Sequence, residues 1–159
     1  MTSDIPVLPR LVLDTNVVMD LFHFRAPPLD PLMQAIRTKT VICLANERTL
    51  SELERVTGYK QFRLDEYGRR QLFDDYRVHI TLVGTSPSDP ALPPLPKCRD
   101  PDDQMFLELA QRGAADLLIS RDLLVLKLAK ARQRPCSFAI LTPEQALTRL
   151  FPGHNTVIP

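Results

Sequence analysis

Aspartates recur in this chain where short apolar runs end. Leu11-Val12-Leu13 leads into Asp14, which is followed by the small polar residues Thr15 and Asn16, and the run ending in Ile119 leads through Ser120 and Arg121 into Asp122. Between them, Arg99-Asp100-Pro101-Asp102-Asp103 packs three carboxylates into four positions. Each acid has a structural explanation of its own. Asp14 and Asp122 could cap the helices that follow them, and so could Asp100, with Pro101 at the first helical position. Asp103 would then fall third, where the helix dipole favours negative charge. Stability does not explain all of them gathered on one edge of a fold, because carboxylates within about 4–6 Å of each other raise one another's pKa and destabilise unless a cation is present. Hard oxygen ligands without His or Cys suit Mg²⁺ or Mn²⁺ beside a phosphate substrate, which points to phosphoryl chemistry.

Zinc is disfavoured, since His23, His79 and His154 are isolated and read as surface or packing histidines. The three cysteines, Cys43, Cys98 and Cys136, show no paired spacing. Cys43 and Cys136 are expected on buried strands and Cys98 in a loop.

The elements that must position these acids follow from periodicity. Five segments rich in β-branched or aliphatic residues, Leu11 to Asp14, Thr40 to Leu44, Val78 to Val83, Asp116 to Ser120 and Ser137 to Leu141, alternate with stretches of helical period. This predicts an α/β fold, a parallel sheet of about five strands with helices on both faces. In such sheets ligands bind beyond the carboxyl ends of the strands, where Asp14 and Asp122 should stand. A helix is expected from Asp102, burying Met105, Phe106, Leu109 and Ala110 and ending near Gly113. Thr142-Pro143-Glu144-Gln145 predicts a capping box opening a last helix to about Leu150. Ser86 to Pro96, with five prolines in eleven residues, is expected to be an extended surface loop.

A chain of 159 residues predicts one domain, with a core over about 10–151 and short terminal tails. A net charge of +1 supplies no global field to recruit a polyanion, so a nucleic-acid partner has to be argued locally. No apolar run reaches membrane-spanning length and the first ten residues lack the apolar core of a signal peptide, so a cytoplasmic protein is expected.

The sequence resembles the PIN-domain family, in particular its bacterial toxin-like ribonuclease group. The resemblance rests on Leu11-Val12-Leu13-Asp14-Thr15-Asn16, on Ser51-Glu52-Leu53-Glu54-Arg55-Val56 with Tyr59-Lys60-Gln61-Phe62, on Arg99 through Ala110, and on Ala115 through Asp122, in the family's order. It implies an α/β/α sandwich and a single-strand-specific endoribonuclease using Mg²⁺ or Mn²⁺. Glu47, Glu52 and Glu54 share one predicted helix, whose buried stripe is Leu50, Leu53 and Val56. The match to the family's Glu-Leu pair selects Glu52. The implied ligands are Asp14, Glu52, Asp103 and Asp122, with Asp100 as a further candidate, and Asn16 and Ser120 in support. The chain departs from the group after Asp122, where many relatives carry a second Asp two residues on and this sequence continues with Leu123.

Substrate contacts are expected from Arg99, Arg121 and Lys127, and from the loop carrying Tyr59, Lys60 and Arg63. The group also implies the toxin of a toxin–antitoxin pair, with RNA and a small antitoxin protein as partners and a homodimer favoured. Two rival readings are a catalytically silent PIN-like regulator and a Mg²⁺-dependent phosphatase of the haloacid dehalogenase type. The phosphatase would require an Asp where Asn16 stands.

Overall fold

The computed structural model describes residues 7–130 and 136–153; His154 lies outside them. Arg10–Leu13 (β1), Ile42–Ala45 (β2), Ile80–Leu82 (β3), Leu117–Ile119 (β4) and Ala139–Leu141 (β5) pair, all parallel, in the order β3-β2-β1-β4-β5. The helices are Thr15–Phe22 (α1), Asp30–Arg37 (α2), Glu47–Thr57 (α3), Glu66–Arg77 (α4), Gln104–Arg112 (α5), Leu123–Leu126 (α6) and Pro143–Leu150 (α7).

The sheet is covered on both faces, and this is why its inner strands are continuously apolar. Leu11, Leu13, Cys43, Ala45, Leu117 and Ile119 point into one core with residues of α1, α2, α3, α4 and α7. The alternate residues Val12, Leu44, Leu118 and Ile140 point into the other, against Phe106, Leu109 and Ala110 of α5. The result is the expected α/β/α arrangement. Among the described residues no helix is long and apolar enough to cross a membrane.

Capping fixes where the helices begin. Asn46 and Thr49 form a capping box on α3, and Thr142 and Gln145 form the one expected on α7. α5 begins two residues later than expected, because Pro101–Asp103 forms a separate 3₁₀ turn ahead of it. Its end also differs from the usual glycine stop. Gly113 has φ −82°, and it is Ala114, with φ 49°, that takes the left-handed position. Gly113 is needed for space: a Cβ there would sit 2.7 Å from Leu44 Cδ1.

The proline-rich stretch is neither helix nor strand and is mostly exposed. α5 pins it through Gln111 Nε2 to the Pro93 carbonyl (2.7 Å) and Gln104 Nε2 to the Pro96 carbonyl (3.1 Å). The loop therefore delivers Asp100 to the start of α5 in a fixed position. The cysteine expectation needs correction: Cys43 is buried on β2, but Cys136 precedes β5 and is half-buried, and the loop residue Cys98 is itself buried. Gln104 causes this last difference, since its Oε1 accepts the Cys98 N–H and draws the loop inward.

Candidate functional site

The chain leaves β1 to one side toward β2 and β3 and later returns to add β4 and β5 on the other, so the sheet reverses its order between β1 and β4. In open parallel sheets such a reversal marks the place where ligands bind, at the carboxyl ends of the two strands. Asp14 emerges there, because its N–H donates to the Ile119 carbonyl (2.9 Å) and continues the β1–β4 ladder one residue beyond the strand.

Asp14 is only 4% exposed. It occupies the N-cap position of α1, yet its side chain makes no capping hydrogen bond. Its Oδ2 instead accepts the Ser120 hydroxyl at 2.6 Å. Ser120, wholly buried at the end of β4, also accepts the Asp122 N–H on the same Oγ at 3.0 Å. Asp122 in turn caps α6, its Oδ1 accepting the Leu124 N–H at 2.8 Å. The two strand-end aspartates thus differ: Asp122 does a capping job with its side chain and Asp14 does not.

Asp103 closes the 3₁₀ turn ahead of α5. Its Oδ2 is buried without a hydrogen-bond partner. Burial, then the charge of Asp14, then Asp122 push its pKa up to about 7, and the charge of Asp100 adds to this. Burial likewise raises the pKa of Asp14, against the Ser120 hydrogen bond that lowers it, and the Asp122 charge raises it further. These aspartates therefore act on one another electrostatically. Asp100 serves as the expected cap, its Oδ1 accepting the Asp102 N–H at 3.0 Å.

Glu52 lies on the flank of α3 that shares a groove with Met105 of α5, whereas Glu54 lines a hollow on the α4 side with Arg69 and Arg70. The helix is rotated as expected, with Leu50, Leu53 and Val56 buried. The Glu52 carboxylate is nevertheless not joined to the aspartates: Arg55 grips its Oε2 through Nη2 at 2.6 Å and Nε at 3.2 Å. Among the described residues no three His, Cys, Asp or Glu side chains are grouped tightly enough to hold a metal ion as they stand.

Of the supporting residues, Ser120 bridges two of the acids, while Asn16 is exposed. Arg121 is occupied, paired with Asp20 at 2.6 Å and Glu144 at 2.9 Å, so that it ties α1 to α7. Arg99, Lys127, Tyr59, Lys60 and Arg63 are exposed. Sequence reading passed over Arg55, although its position three residues after Glu52 puts the two on one side of α3. His23 packs against Phe24 and Phe62, and His79 against Phe22 and the Asp75 carbonyl, as packing histidines do.

The donor set fits a hard divalent cation. It is all oxygen, it includes a buried carboxylate oxygen with no proton donor, and two of its members, Asp103 and Asp14, are pushed toward neutrality by raised pKa values. A family model described as PIN domain matches residues 10–124, a span that begins with β1 and contains Asp14, Glu52, Asp100, Asp103 and Asp122. Among curated proteins, none matches the chain.

Proposed function

This chain belongs to the PIN domain family, whose domains are commonly nucleases, and from that premise we propose that it is a divalent-metal-dependent endoribonuclease acting on single-stranded RNA. The observation that carries this reading is the unpartnered, buried Asp103 Oδ2, set among acids at the point where the sheet order reverses.

Asp14, Glu52, Asp103 and Asp122 would hold one or two Mg²⁺ or Mn²⁺ ions, with Asp100 a further candidate that already caps the 3₁₀ turn. Bound there, such an ion would supply a water of lowered pKa and positive charge to offset that developing on a phosphodiester. The protein's own part is positional. Ser120 fixes the orientation of Asp14 and ties it to the backbone at Asp122. Asp103 would serve as a deprotonated carboxylate, and Glu52 would serve in place of its pairing with Arg55. Exposed Arg99 and Lys127 would meet the RNA backbone, where phosphate contacts set register rather than sequence. The resemblance to the toxin-like group supports a finer reading, a toxin neutralised by a small antitoxin protein and assembled as a homodimer.

The test is cleavage of a labelled single-stranded RNA by metal-stripped protein. Activity should appear with Mg²⁺ or Mn²⁺ and vanish with EDTA. Cleavage undiminished by chelation contradicts the reading.

A further inference from the structure

Arg55 is 55% exposed on α3, and its guanidinium closes on one oxygen of Glu52 from two nitrogens, Nη2 at 2.6 Å and Nε at 3.2 Å. The same guanidinium carbon stands 6.0 Å from the centre of the Tyr59 ring. Glu52 and Arg55 face a shallow groove of about 490 Å³ in which Met105, two residues after Asp103, forms the opposite wall. A forked guanidinium is built for two oxygens of a carboxylate or a phosphate, and an aromatic ring beside it offers a nucleobase a face to stack on. An exposed arginine fork that already holds a carboxylate oxygen has the chemistry of a phosphate site occupied by a stand-in.

We propose that Arg55 is a substrate-binding residue that takes a backbone phosphate of single-stranded RNA, with Tyr59 stacking on a neighbouring base, and that Glu52 fills its fork until it is drawn to the metal. This rests on the metal-site reading above. One side-chain movement then couples two events: loading the acids with a cation opens the arginine to the strand. In metal-free protein the same arginine is neutralised, so strand binding is weak.

The probe is a fluorescent phosphorothioate oligouridylate, whose sulfur-substituted linkages coordinate Mg²⁺ poorly and are cut slowly. Its binding is followed by anisotropy across a salt series, in Mg²⁺ and in EDTA. In Mg²⁺, Arg55→Ala should weaken binding about tenfold, the size of one charge-assisted hydrogen bond. It should also reduce the slope of log affinity against log salt by about 0.7, one phosphate contact on a single strand. Arg55→Lys should keep the slope and recover only part of the affinity. In EDTA, wild type and Arg55→Ala should bind alike. If Arg55→Ala keeps wild-type affinity and slope in Mg²⁺ while Mn²⁺ still raises the wild-type melting temperature, this proposal alone is overturned. If Mn²⁺ leaves the wild-type melting temperature unchanged, the metal reading falls and this proposal falls with it.

Discussion

The hydroxyl of Ser120 donates to Oδ2 of Asp14 at 2.6 Å, joining residues 106 positions apart at the ends of adjacent parallel strands. The contact is fully enclosed, and the same Ser120 oxygen accepts the Asp122 N–H. One small side chain therefore sets the geometry of both strand-end acids. A hydroxyl suits this place because one oxygen both donates and accepts.

Ser120→Ala should consequently do more than remove one bond. It leaves a buried carboxylate without its donor and a backbone N–H without its acceptor, a loss of about 1–3 kcal/mol. Urea unfolding in EDTA measures that loss. Cleavage should fall as well, because Asp14 is then free to turn. Ser120→Thr, which keeps the hydroxyl, should retain more of the activity than the alanine variant.

The raised carboxyl of Asp103 makes metal-free stability depend on pH in a stated direction. Its ordinary pKa is 3.8 and its value in the folded protein is about 7, so between those values the native state binds more protons than the unfolded state. Stability is then full below about pH 4 as far as this group is concerned, and is lost as pH rises through 7. Asp14, also raised, acts in the same direction. In EDTA, the urea midpoint should fall between about pH 5 and pH 8, and Asp103→Asn should flatten that fall. A midpoint rising over this range would mean that the acids do not repel one another.

Glu52 and Glu54 lie on opposite flanks of α3. Glu52→Gln should lower cleavage on the order of a hundredfold, as expected for a lost metal ligand worth several kcal/mol in the transition state. Glu54→Gln should leave it nearly unchanged. Initial rates at saturating Mn²⁺ make the comparison, and equal losses would refute the assignment.

The parts of the fold legible in the sequence were those governed by local rules. Apolar runs such as Leu11-Val12-Leu13 announced buried parallel strands, and Thr142 with Gln145 announced a capped helix, because both signals act within a few residues. The strand-end aspartates were legible as candidates for the same reason. What separates them was not: the bond from Ser120 to Asp14 is a long-range contact, and no local spacing distinguishes an aspartate whose side chain caps its helix from one whose side chain does not. Gly113 does follow the last residue of its helix, but its close approach to Leu44 on another element was not legible. The pairing of Arg121 with Asp20 and Glu144 depends on three separate segments meeting, which no spacing along the chain reveals.

Asp14→Asn tests the central claim most directly. Asparagine caps helices about as well as aspartate, so a capping role for Asp14 predicts little change in stability and an unaltered response to metal. A metal-ligand role predicts otherwise. In EDTA the variant should melt at the wild-type temperature or above it, since one of several repelling buried acids has lost its charge. With saturating Mn²⁺ the rise in melting temperature should be clearly smaller than for wild type, and RNA cleavage should be lost. A variant that gains as much from Mn²⁺ as wild type does, and still cuts RNA, would show that Asp14 holds no metal.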